Sequence, residues 1–137
     1  MVVTVSRATA VPSESAGHFA WRVETVEGRL DWGRAWALLH PGQQAFVPKA
    51  LFVRCLSTIR ASRPRSIRVL TVRSVTITIP GLSRGRIAAD TVRLRWVYGS
   101  ATPSQYVSLT VVIVGNRWRW ITSAASRTSF RRMYFCQ

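Results

Sequence analysis

The apolar positions of this chain change period once. Up to about residue 60 they recur three or four apart, as on one face of a helix; beyond Ser66 they alternate, as on one face of a strand. Ser13, Glu14 and Ser15 offer a capping hydroxyl, and Ala16, Phe19, Val23 and Val26 then form the apolar stripe of a first helix ending near Gly28. That phase leaves Arg22, Glu24 and Glu27 for the solvent side. Asp31 caps a second, short helix with Trp32, Ala35, Trp36 and Leu39 on its apolar face and Pro41-Gly42 as its terminator. A third helical pattern begins at about Gln43 or Pro48, carries Phe46, Leu51, Phe52, Cys55, Leu56 and Ile59, and stops in the cluster around Arg63-Pro64-Arg65.

The second half reads as four strands. Ile67 to Ile79 is rich in Val, Ile and Thr and ends at the turn pair Pro80-Gly81, with a bulge expected near Arg73 and Ser74, where alternation weakens. In the next strand Val92, Leu94, Trp96 and Tyr98 face one way while Thr91, Arg93 and Arg95 face the other. Tyr106 to Val114 makes a third strand, Gly115-Asn116 a tight hairpin, and Arg117 to Thr122 a fourth. Helices followed by an antiparallel meander give an α+β domain with the helices on one face of a four-stranded sheet. At 137 residues the chain fits a single core, divided as an irregular segment 1–12, a folded domain 13–123 and a basic tail 124–137.

Composition changes this picture in one respect. With 47% apolar and 18% charged residues the chain is not of the disordered class, but 20 basic against 5 acidic residues leave a net charge of +15. Every basic residue except Lys49 is arginine. Such a field favours anionic partners, whether nucleic acid, acidic lipid or an acidic protein face. The arginines run from Arg7 to Arg132 without forming one block, which equally fits a merely basic surface. No run of eighteen apolar residues suggests a membrane-spanning helix. The first residues lack a secretory pattern, so the chain as written reads as cytoplasmic, or as exported if its natural start lies upstream and Cys55 pairs with Cys136. Cys55 and Cys136 either pair, closing a loop of about 80 residues, or remain free thiols. No metal-ligand spacing and no cofactor motif is present.

The segment Asp31-Trp32-Gly33-Arg34-Ala35-Trp36 through Leu39-His40-Pro41, a helix carrying Phe52-Val53-Arg54-Cys55, and strands closing on Asn116-Arg117-Trp118-Arg119-Trp120-Ile121 resemble the NTF2-like, or cystatin-like α+β, superfamily. The likeness is to its small actinobacterial-type domains and covers roughly Ala16 to Ser123. It implies a curved sheet wrapped around helices as a cone whose mouth can hold a small molecule, and dimers through the sheet. Enzymes of that superfamily place a carboxylate or a His–Asp pair inside the cone. Here Glu14, Glu24, Glu27, Asp31 and Asp90 are the only carboxylates, and none falls mid-strand on an apolar face.

Candidate chemistry is correspondingly thin. His40 is an acid/base candidate with a pKa ordinarily near ~6.5, but the structural reading is the stronger one, since a His-Pro pair at a helix end lets the imidazole bond the last carbonyls. Asp31 and Asp90 are the remaining weak catalytic candidates, Asp31 doubling as a cap, and His18 has no metal-spaced companion. Trp96, Trp118, Trp120 and Tyr98 are the aromatic candidates for a pocket or interface. Arg93, Arg95, Arg117 and Arg119 form an anion-binding patch if their faces coincide, with the aromatics expected on the opposite face. The expected function is a non-enzymatic interaction or assembly module, with a small apolar ligand possible in the cone. It would act through a protein partner or a sheet-mediated homodimer and need no cofactor. The alternatives are a cone-pocket isomerase or dehydratase and an anion-binding accessory protein for nucleic acid or acidic membrane surfaces.

Overall fold

A computed structural model describes residues 11–59, 62–82 and 85–136. Among them the chain forms an α+β arrangement of five helices and one four-stranded antiparallel sheet. Helix α1 spans Ala16–Gly28 and is capped by Ser15, whose hydroxyl accepts the His18 amide at 3.1 Å. Asp31 caps α2, Trp32–Ala37, by accepting the Arg34 amide.

The His40-Pro41-Gly42 segment starts a helix as well as ending one. His40 is the N-cap of α3, Pro41–Phe46: its Nδ1 accepts the Gly42 amide at 2.9 Å, and Pro41 occupies the first helical position, where a missing N–H costs nothing. The expected third helix is therefore two, α3 and α4, Lys49–Leu56. The break has a steric cause, since Pro48 pushes Val47 out of the helical region, to φ −117 and ψ 84.

Strands β1 Ser66–Ile77, β2 Ile87–Val97, β3 Gln105–Val114 and β4 Arg117–Ile121 follow one another as a meander in the order β1-β2-β3-β4. Gly115, at φ +66, opens the two-residue turn into β4. The sheet is open, and its bulge lies at Leu70 rather than at Arg73 and Ser74: Val69 faces Leu94 and Thr71 already faces Arg93. The segment read as a basic tail contains α5, Arg127–Met133, whose Phe130 is fully buried.

The helices pack on one side of the sheet. Phe52 sits at the centre of that core, with its ring centroid 5.6 Å from Phe130 and 6.1 Å from Trp120. Three indoles also tie layers together by donating to carbonyls 2.7 Å away: Trp36 to Val47, Trp118 to Glu14 and Trp120 to Ala35. The β4 edge is closed by the chain itself. Residue 39 bridges Trp120 in parallel, through His40 N–H to the Trp120 carbonyl and Trp120 N–H to the Leu38 carbonyl. Fully buried Gln43 extends this pairing, its amide accepting from Thr122 N and donating to Thr122 O, both at 2.9 Å.

A disulfide between Cys55 and Cys136 fastens the segment after α5 to α4, across 81 residues. In the chain-entropy account a loop of that length is worth roughly 4 kcal/mol. Replacing both cysteines by serine is expected to lower the unfolding free energy by about that amount, seen as a lower urea midpoint. An unchanged midpoint would show that the tail is held by packing alone.

Candidate functional site

The bulge at Leu70 decides what the outer face of the sheet presents. Arg68 and Arg73 are five residues apart and on a regular strand would point to opposite faces; one extra residue between them brings both to the same face. In register, Arg68 faces Arg95 and Tyr106 continues that row; Thr71 faces Arg93, followed by Ser108; Arg73 faces Thr91, followed by Thr110. Three adjacent rows thus hold four arginines, three threonines, a serine and a tyrosine. Arg68, Arg73 and Arg93 are exposed, and Tyr106 is 58% exposed.

No carboxylate accompanies them. Asp90 pairs with Ser74 and so shares the helix-facing side with Val92 and Leu94, while Glu14, Glu24, Glu27 and Asp31 all belong to the helix layer. The ion pairs found among the described residues, Glu14 with His18 and Arg22 and Asp31 with Arg34, lie there too. Like charges directly across a ladder repel, and Arg68 opposite Arg95 is such a pair. Arg95 Nε is also buried without a hydrogen-bond partner. The one internal compensation is Tyr106, whose ring centre lies 5.1 Å from the Arg93 guanidinium carbon.

Of the four arginines singled out from sequence, Arg93 and Arg95 belong to this cluster. Arg117 and Arg119 share its face but lie at the other end, next to Val114 and Val112, and Arg119 reaches round the β4 edge to donate to the Ala37 carbonyl at 2.6 Å. Between the two ends Ala89 and Val112 are buried, and neither belongs to the main core cluster. The expectation that aromatics would sit only opposite the arginines fails at Tyr106. Strand alternation around Val107, Leu109 and Val111 already placed it outward; the bulge that recruits Arg68 and Arg73 was not legible.

Trp120 and Trp96 are buried, Trp118 is half-buried, and Tyr98 spends its hydroxyl on Gln105 at 3.2 Å. The catalytic candidates are not brought together by any hydrogen bond. Asp31 is an exposed cap, while Asp90 borders a groove with Gly17, Val72 and Ser74. His40 borders a different groove of about 690 Å³, lined by Ile79, Leu82, Ile87, Ile113 and Val114. Burial, and then the nearby Arg119 charge, hold its pKa below the ordinary histidine value, so it is neutral there.

Sequence periodicity misplaced Glu24. The buried stripe of α1 runs Phe19, Ala20, Val23, Glu24, which puts Glu24 at 1% exposure and half-buried Glu27 beside it. Burial raises the Glu24 pKa to about 7 despite the neighbouring Glu27 and the Trp96 indole. Burial and the Glu24 charge raise Glu27 well above the carboxylate range. Burial followed by these two acids lifts the Tyr134 hydroxyl to about 12. Glu24 Oε2 and Trp96 Nε1 are buried without a hydrogen-bond partner.

Comparison with known proteins gives no matching family model, no matching curated sequence and no matching solved structure.

The acid pair fixes the sign of a pH dependence. A carboxyl whose folded pKa exceeds its unfolded value binds more protons when folded, so the Glu24 contribution to stability falls as pH rises from the unfolded value of 4.5 through about 7, and Glu27, also raised, acts in the same direction. A shift of this size corresponds to roughly 3 kcal/mol. Glu14, whose partial burial is outweighed by hydrogen bonds from Arg22 and His18, is held low and acts only beneath that window. Urea unfolding is expected to show higher stability near about pH 5 than near about pH 8, with Glu24→Gln flattening the profile. A native profile that rises with pH would contradict the buried acid.

Proposed function

We propose that this is a non-catalytic interaction domain of the NTF2-like type that binds an anionic partner through the outer face of its sheet. One observation carries the reading: Arg68, Arg73, Arg93 and Arg95 converge on three rows of an open face without a carboxylate among them. The repulsion between these groups costs stability in the free protein, and an anion relieves it on binding. The same charge works against a homodimer formed face to face through the sheet, because it would stack two arginine clusters. The Cys55–Cys136 bond supports maturation in an oxidising compartment.

The enzyme alternative draws little support, since His40, Asp31 and Asp90 stand apart. A small apolar ligand is a second reading, favoured by the groove at neutral His40, whose size suits a small molecule and whose walls are mainly aliphatic. That groove lies beside the sheet end, while Phe19, Phe52, Phe130 and Trp120 belong to the core between helices and sheet.

Retention on immobilised heparin, followed against salt, tests the anionic reading. Arg93→Ala with Arg95→Ala is expected to lower the slope of log affinity against log salt by about 2, one for each contact removed. Arg131→Ala with Arg132→Ala, which takes the same charge from exposed positions of α5, is the control and should change it far less. Equal losses in the two variants would mean that net charge alone, and not this face, binds.

A further inference from the structure

The two edges of the sheet are treated differently. Backbone of residues 38–40 covers β4, whereas β1 is the outermost strand with no paired neighbour among the described residues. The ends of β1 are occupied: Trp21 Nε1 donates to the Ile67 carbonyl at 3.0 Å and Arg86 to that of Thr76 at 3.4 Å. Between them Thr71–Val75 runs in unbroken register with β2, past the bulge, and is about as long as an ordinary strand. An exposed edge of this kind presents a row of amides and carbonyls to another chain.

Its two sides differ in chemistry. On the outer side Arg73 points into the arginine cluster. On the inner side Val72 is 49% exposed and borders a groove of about 630 Å³ beneath the start of α1. Gly17, which also borders it, lets α1 approach β1 closely, since a Cβ there would lie 3.3 Å from the Val72 side chain. A strand added at β1 would alternate its side chains between these two environments.

Resting on the anionic reading above, we infer that β1 receives an extended segment of an acidic partner protein as a fifth strand. Its carboxylates, at every second residue, lie on the outer side beside Arg73, with Arg93 one strand further in, and small apolar residues between them enter the Val72 groove. A second copy of this chain does not fit the role, because pairing β1 with β1 sets arginine against arginine along the outer side. Charge complementarity selects the acidic segment.

The test uses the full disulfide-bonded protein and a capped peptide of about eight residues alternating Glu and Val. Two versions are N-methylated, each on one alternate set of residues, and a third has the same composition with its glutamates in one block. The alternating peptide is expected to bind and to slow amide exchange in Thr71–Val75. Methylating the set that faces β1 should weaken binding by about tenfold or more, and methylating the other set should not. The block isomer should bind at least about tenfold more weakly. Equal binding by both methylated forms, or by the block isomer, overturns strand addition; arginine-dependent heparin retention then shows that the anion-binding face itself survives. Loss of both heparin retention and peptide binding removes the two readings together.

Discussion

The structure depends on how residues 38–43 close the β4 edge. Leu38 and His40 lend their backbone to Trp120, and Gln43 completes the pairing with its side-chain amide on the amide and carbonyl of Thr122. Gln43 also donates to the Pro80 carbonyl at 3.2 Å, drawing the β1–β2 connection to the same point. A buried amide is costly unless each of its groups is satisfied, and here both heteroatoms are. This contact fixes α3 to the sheet, leaves α2 and α4 where Trp36 and Phe52 can pack, and makes β1 the only strand edge open to a neighbour among the described residues.

The second determinant is the single extra residue at Leu70. It rotates the first half of β1 against the second, so that Arg68 and Arg73 join Arg93 and Arg95 while Val69 and Val72 both turn toward α1. The cost is one facing arginine pair, Arg68 with Arg95, and two further arginines in the adjoining rows, with little internal compensation. A protein that only needed a solvated strand face could have placed a carboxylate opposite any of them. The chain instead keeps its five acids on the helix-facing side, two of them in a buried pair whose pKa values are raised by desolvation.

Much of the fold was legible because it rests on local physics. The change of period located the helices and strands, and Gly115-Asn116 and Asp31 announced their turn and cap. What escaped depends on tertiary context. His40 reads as a helix end until Pro41 is seen to begin another helix. Phase along α1 was set by Val26, whereas packing chose Ala20 and Glu24, a polar group that only a finished core could show to be buried. α5 is short and arginine-rich, so its helix is evident only from buried Phe130 and the disulfide beyond it. At the site, alternation gave Arg93 and Arg95 their common face but could not reveal a bulge that adds two more arginines from another strand. The resemblance anticipated helices on a sheet, and no comparison extends it further.

The central claim is that the open arginine face is where this domain meets its partner. Titration of the native protein with poly-glutamate, followed by NMR through the arginine Nε–H and tryptophan indole signals, tests it most directly. The account predicts that Arg68, Arg73, Arg93 and Arg95 respond together while the indoles of Trp118 and Trp120, bonded to Glu14 and Ala35, stay fixed. Responses centred on Arg131 and Arg132, or spread evenly over all the arginines, would contradict it.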